Sequence, residues 1–308
     1  MDIIKDKFYE LVEFNEWAHS ISDPRVKDWF LMQSCVPTIV ITVLYVFVVL
    51  AGMKIMEKRE PFKFGNLLFY YNIALVVLNL HIFTQLVYYT TRAGYSYMCQ
   101  TVVYSNDVNE MQIAKALWWF YFSKVVEMID TIFFVLRKKN NQVSFLHVYH
   151  HASMFPLWWI GVKWVAGGQS FFGAMINSFI HVVMYSYYGL SALGPHMQKY
   201  LWWKRYLTMM QLTQFYIGMI YTFQSLYFDC QFPKWMQYAG LAYGVTIIAL
   251  FLNFYVKAYG QKPANQHKKA ADKKKSENGA IKSQESNGHI ATDKKSATNG
   301  HVETKKSK

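Results

Sequence analysis

Three imidazoles, His147, His150 and His151, stand at spacing i, i+3, i+4 in the stretch Leu146-His147-Val148-Tyr149-His150-His151. That spacing puts all three on one face of a helix. Near neutral pH much of an imidazole is uncharged, and it can act as a nucleophile and as a leaving group. The residues that follow, Ala152 to Ala166 with Trp158, Trp159 and Trp164, are nearly all apolar. The cluster therefore opens a helix of membrane length rather than lying in a wet loop. Ionisable rings at the edge of hydrocarbon are costly, and such groups are functional candidates by default. The bland alternative is interfacial histidines, one face wet and one packed, which suits a lone histidine better than three on a stripe.

Further polar groups occur in other apolar stretches. Lys124, Glu127, Asp130 and Thr131 lie within about a third of a helix circumference at 100° per residue. Lysine and glutamate at i, i+3 can pair, the cheapest way to hold either in a membrane; an ion pair that merely orders a bundle is the alternative. Asn177, His181, Met184 and Tyr188 form one stripe, and Gln211 and Gln214 lie near one face with Thr208. Asn72, Asn79, His81 and Gln85 are scattered, and an isolated His81 reads as a satisfied core residue. Unsatisfied polar groups cost several kcal/mol in lipid, so these side chains must converge on a shared interior. His150 or His151 should stand opposite His181 in a chamber open to the cytosol. An apolar channel rich in Trp, Phe and Met would continue it and suit a long acyl chain, although aromatic stripes are also ordinary membrane packing.

The elements that position these groups follow from hydropathy. Of the 308 residues, 53% are hydrophobic and 18% aromatic, high for a soluble domain. Residues 1–33 mix charge with aromatics and read as a pre-membrane segment, an amphipathic helix with Trp17, Trp29 and Phe30 at the lipid boundary. Asp2, Glu10, Glu13 and Glu16 without an early apolar run argue against a cleavable signal peptide. Within 34–260, stretches of spanning length fall at roughly 35–56, 67–90, 112–136, 145–166, 169–193, 206–228 and 236–258. The predicted fold is an all-α polytopic membrane protein with seven transmembrane helices.

Lysine and arginine alternate between the connecting loops. Lys54, Lys58, Arg59 and Lys63 follow the first span, Arg137, Lys138 and Lys139 the third, and Lys199, Lys204 and Arg205 the fifth. The other loops are poor in both, and Gly167-Gly168 make a tight turn. The C-terminus is then cytosolic and the N-terminus lumenal. Cys99 and Cys230 fall in non-cytosolic loops, where a disulfide between them is permitted; two unrelated buried thiols are the alternative. The three cysteines show no metal-ligand spacing.

Residues 261–308 hold twelve lysines and five acids, seven of the net +13, so the basic balance is largely a property of a tail and says little about nucleic acid. The tail is polar and repeats Asn-Gly-His at 287–289 and 299–301, a composition that predicts disorder. Lys305 and Lys306, fourth and third from the end, fit a dilysine retrieval signal to the endoplasmic reticulum.

Four blocks resemble one family: Lys124-Val-Val-Glu127-Met-Ile-Asp130-Thr131, Leu146-His147-Val-Tyr-His150-His151, Asn177-Ser-Phe-Ile-His181-Val-Val-Met-Tyr185 and Gln211-Leu-Thr-Gln214-Phe. Their types, order and spacing look like the ELO-type fatty-acid elongases, the very-long-chain 3-oxoacyl-CoA synthases of the endoplasmic reticulum. The likeness covers roughly 28–260 and is closest to the animal type that extends already very long chains. It implies that the last six spans form a barrel around a closed-ended acyl tunnel. It implies condensation of acyl-CoA with malonyl-CoA to 3-oxoacyl-CoA, carbon dioxide and coenzyme A, with no bound metal or redox cofactor. Membrane lipid surrounds such an enzyme, and a separate 3-oxoacyl-CoA reductase, dehydratase and enoyl reductase complete the cycle; it can assemble with itself or with other elongases.

The chemistry matches the residues. The cysteines lie away from the polar chamber, so an imidazole is the candidate nucleophile: His150, to which the resemblance also points, with a ping-pong order through an acyl-histidine. His147 positions substrate, His151 orients, and His181, Asn177 and Asp130 complete the catalytic set. Enolate charge on malonyl-CoA needs preorganised donors, for which Asn177, His181, Gln211 and Lys124 are available. Lys124, Glu127, Gln211, Gln214 and Tyr188 are assigned to substrate, and Arg137, Lys138, Lys139, Lys204 and Arg205 to the phosphates of coenzyme A. Two rival readings are a di-iron membrane desaturase, which needs about eight ligands, and a non-enzymatic seven-span transporter or receptor.

Overall fold

The computed structural model describes residues 2–260. The tail and the dilysine pair Lys305–Lys306, with the disorder and retrieval expected of them, lie outside the described residues. Two units divide the chain, Met1–Phe254 and Tyr255–Lys308; of the second, residues 255–260 are described, helical to Tyr259. Among the described residues there is helix and turn but no strand.

The helices run α1 (Asp2–Ser20), α2 (Val36–Met56), α3 (Leu67–Arg92), α4 (Val108–Glu127), α5 (Ile129–Leu136), α6 (Phe145–Val165), α7 (Ser170–Ala192), α8 (Lys204–Tyr227) and α9 (Lys234–Tyr259), with a 3₁₀ turn at Pro195–Tyr200. Their ends have local causes. Pro37 opens α2 in the first turn, where its missing N–H is not needed. Asp107 caps α4 by accepting from the Asn109 N–H, and Ser144 caps α6 by accepting from the His147 N–H. The α6–α7 turn passes through Gly168 at φ +54°; a Cβ there would meet the Val102 backbone nitrogen at 2.9 Å, so both conformation and space require glycine.

Three helices, α2, α3 and α9, are long and apolar enough to cross a membrane by length and composition. Ionisable and polar side chains on the others, such as Lys124 and Glu127 on α4 or the histidines of α6, lower their hydropathy. The third predicted span is also not continuous: α4 and α5 meet at Met128. The cause is a side chain in the helical ladder. The Tyr71 hydroxyl, from α3, donates to the Val126 carbonyl at 2.9 Å and lies beside Asp130, the residue whose N–H would otherwise take that carbonyl. An inserted hydroxyl of this kind opens the i to i+4 bonding and breaks the helix.

In the unit Met1–Phe254, α3 packs along α4 and α7, and α2 against α5 and α6. Most of α2 is exposed and apolar, as lipid contact demands; its inner face is Thr38, Tyr45, Val49 and Met56. Residues 21–34 are tied down rather than merely adjacent to the bundle. Arg25 pairs with Asp23 at 2.6 Å and donates to the Ala166 carbonyl at 2.8 Å. Trp118, Trp159 and Lys163 donate to the carbonyls of Phe30, Leu31 and Met32. Buried loop carbonyls need such partners. Trp17 and Phe30 are exposed, whereas Trp29 is half-buried against the core. A disulfide joins Cys99, between α3 and α4, to Cys230, between α8 and α9. His81 departs from expectation: it faces outward from α3 instead of filling the core.

Candidate functional site

The first turn of α6 starts the site. With Ser144 as cap, His147 lies one turn into the helix and its ring reaches α5, where Nε2 is 2.9 Å from the Thr131 hydroxyl. That hydroxyl is 2.9 Å from the Tyr45 hydroxyl of α2. One turn on, His151 is buried, with its ring 4.6 Å from that of His147 and 5.2 Å from that of His150. The three imidazoles are thus a packed cluster, and His151 Nδ1 has no hydrogen-bond partner.

The second group is centred on Glu127, whose side chain is fully buried. Its carboxylate accepts from Lys124 Nζ at 3.0 Å, from His181 Nδ1 at 3.0 Å and from Ser123 Oγ at 3.2 Å. A buried carboxylate survives only when so paired and hydrogen-bonded. Lys124 also donates to Asn177 Oδ1 at 3.3 Å and lies 4.2 Å from the Phe120 ring centre. Asn177 in turn donates to Gln214 Oε1 at 3.4 Å, which joins α7 to α8. His150 lies within electrostatic range of His181, Lys124 and Glu127, so the two groups adjoin.

This geometry redistributes roles. Glu127 is consumed by Lys124 and His181, which argues against direct substrate contact. A carboxylate at Nδ1 fixes the neutral His181 ring as the tautomer whose Nε2 is a free acceptor. Asn177 has one N–H on Gln214 and its oxygen on Lys124, leaving a second N–H to donate. Asp130 accepts from the Tyr185 hydroxyl at 2.9 Å and contacts Tyr71. Tyr188 packs edge-on against Tyr185 and Tyr187. Gln211 points to Met184 Sδ at 3.3 Å rather than to the Glu127 group. Lys138 is a structural clip: at φ +54° it donates to the carbonyls of Glu57 and Arg59, which sets its ammonium against the expected phosphate role. Half-buried Arg137 and exposed Lys139 stand beside it at the end of α5, and exposed Lys204 and Arg205 open α8.

A cavity of about 370 Å³ lies between α6, α7, α8 and α9. Asn177 and Gln214 line it along with Trp158, Phe215 and Met219, and Gln169, Ser225 and Gln237 belong to the same lining. Its wall is apolar and aromatic, with few polar groups, as ligand cavities usually are. Among the described residues, the lining includes none of the four site histidines; the Asn177–Gln214 pair stands where the polar groups adjoin it. In α7, Gly173 lines the cavity, while its neighbours Ala174 and Met175 are buried in the hydrophobic core. Among the described residues no three His, Cys, Asp or Glu are gathered as a metal site would need.

Four contributors escaped sequence reasoning: Tyr45, Ser123, Tyr71 and Tyr185 as the Asp130 donor. Tyr45 had a signal, being the one tyrosine of a largely apolar helix and seven residues, two turns, after Thr38. Tyr71 had none that distinguished it from neighbouring aromatics.

Comparison with known proteins gives a consistent picture. The ELO family, described as GNS1/SUR4, matches residues 30–268. The chain is 57% identical to a Mus musculus protein named very long chain fatty acid elongase 4, over 92% of this chain and 91% of that one. Its identity to the Homo sapiens protein of that name is 56%, over 92% and 90%. A Xenopus laevis very long chain fatty acid elongase 5 is 47% identical over 80% of this chain and 83% of its own.

Proposed function

This chain belongs to the ELO family, GNS1/SUR4, and from that membership we propose a two-step acyl transfer through its histidine box. The protein is a condensing enzyme of very-long-chain fatty acid elongation, joining acyl-CoA to malonyl-CoA. His150 attacks the thioester carbon; the C–S bond breaks, coenzyme A leaves as the thiol with the proton that His150 gives up, and an acyl-imidazole remains. Malonyl-CoA then loses carbon dioxide, and its enolate carbon attacks the acyl carbon. The C–N bond breaks, 3-oxoacyl-CoA departs, and His150 takes up a proton. His181, oriented by Glu127, offers Nε2 to the proton in transit. The spare N–H of Asn177 faces the enolate oxygen, which needs a donor already in place.

The observation that carries this reading is the Glu127 carboxylate shared by Lys124 and His181 beside a box of three packed imidazoles. The acyl chain runs into the cavity between α6 and α9, and α3 to α9 form the barrel around it, with α2 outside. Placement in the endoplasmic reticulum membrane with a cytosolic C-terminus is supported by the loop lysines and by a disulfide linking two loops on the lysine-poor side. The test is purified protein given acyl-CoA alone. About one equivalent of coenzyme A should be released and the acyl mass should appear on a His150 peptide, both lost in His150→Ala. Sequential kinetics with no release before malonyl-CoA is added would refute the covalent route.

A further inference from the structure

The first long helix, α2, lies outside the barrel in this reading, yet its inner face carries two hydroxyls, of which Thr38 meets the hydrophobic core and Tyr45 meets the histidine box. Thr38 is 2.7 Å from the Tyr121 hydroxyl of α4, whose ring stacks on Phe155 of α6 at 4.8 Å. Tyr45, two turns further on, bonds Thr131 of α5, which bonds His147 Nε2 of α6. Its ring also stands edge-on to His151 at 6.4 Å. Tyr45 is 6% exposed and Thr131 is fully buried, so water does not substitute for either.

We propose that Tyr45 is a positioning residue for condensation, acting on the histidine box through a Tyr45–Thr131–His147 hydrogen-bond chain. Tyr45 donates to Thr131 Oγ, and Thr131 spends its single proton on His147 Nε2. That direction holds His147 neutral, with its remaining N–H on Nδ1, and fixes the ring plane against which His151 packs. His151 and His150 follow on the same helix face, so the pose of His147 is transmitted to the nucleophile by contact. Helix α2 is thus the back wall of the site. A threonine hydroxyl has one proton to give, so without Tyr45 the chain loses its direction while Thr131 keeps its place.

The inference rests on the box performing the acyl transfer, and the experiment separates the two. Active sites are counted by acyl-CoA-dependent release of coenzyme A, and kcat per site and KM are then measured for Tyr45→Phe, Thr131→Val, Thr131→Ser, the Tyr45→Phe/Thr131→Val pair and Thr38→Val. Tyr45→Phe and Thr131→Val should each lower kcat per site about tenfold, the scale of one buried hydrogen bond, with KM little changed. Thr131→Ser should restore the rate. The pair should be no worse than Thr131→Val alone, because members of one chain are not additive. Thr38→Val removes an equivalent hydroxyl pair from the same helix and should leave kcat per site intact whatever it does to stability. Full kcat in Tyr45→Phe, additive losses in the pair, or an equal fall in Thr38→Val would overturn the proposal. Wild-type protein that elongates without releasing coenzyme A first would instead remove the reading beneath it.

Discussion

Glu127→Gln keeps the shape of a fully buried side chain and removes its charge. Two partners lose by it: Lys124, held at 3.0 Å, and His181, held at 3.0 Å. Lys124 is only 1% exposed and its other contacts are a neutral amide and a ring. Breaking a buried pair by removing one partner typically costs about 3–5 kcal/mol, because the remaining charge is uncompensated. For a unit of this size each kcal/mol corresponds to roughly 2–4 °C in Tm, so a fall of around 10 °C is expected. Replacing both partners is different: Lys124→Met with Glu127→Gln leaves no orphan charge, and stability should return to within about 1 kcal/mol of wild type. Activity should not return with it. His181 without its carboxylate loses the preferred tautomer, and general acid–base help of about 10²-fold is at stake. Thermal unfolding in detergent and incorporation of radiolabelled malonyl-CoA read the two effects separately. A double variant as unstable as either single one, or Glu127→Gln condensing at the wild-type rate, would refute the reasoning.

Three further outcomes follow from other parts of the molecule. Cys99→Ser, Cys230→Ser and the double variant should lose similar stability, about 2–5 kcal/mol, because one bridge across 131 residues is removed in each case; alkylation without reductant should label Cys35 alone. Gly173 and Gly218 line the cavity, and a Cβ at either meets nothing within 4 Å, so Gly173→Leu and Gly218→Leu should fold, shorten the products and spare turnover of short acyl-CoA; an even fall at all lengths would point to misfolding. Replacing Lys305 and Lys306 by serine should release the protein from the endoplasmic reticulum with activity in detergent unchanged, and unaltered localisation would end the retrieval assignment.

Much of this protein is written along the chain because its causes are local. Helices occupy the apolar stretches, Ser144 starts the helix that carries the box, and Gly167-Gly168 turn the chain into α7. The Lys124–Glu127 pair was legible from spacing alone, since i, i+3 neighbours on a helix meet whatever surrounds them. Relations between helices were not. Periodicity gives the angle of one side chain relative to another on the same helix, but not the rotation of that helix against its neighbours. Glu127 could be seen to meet Lys124; that it also takes His181, 54 residues away, required α4 and α7 to be packed. The same gap let His81 pass as core and hid Tyr45 behind Thr131. The break at Met128 has no glycine or proline to announce it, because the hydroxyl that opens the ladder comes from Tyr71 on another helix. Spacing decides which groups share a face; only packing decides what that face meets, because a hydrogen bond across helices needs its atoms within about 3 Å and one helix alone cannot bring them there.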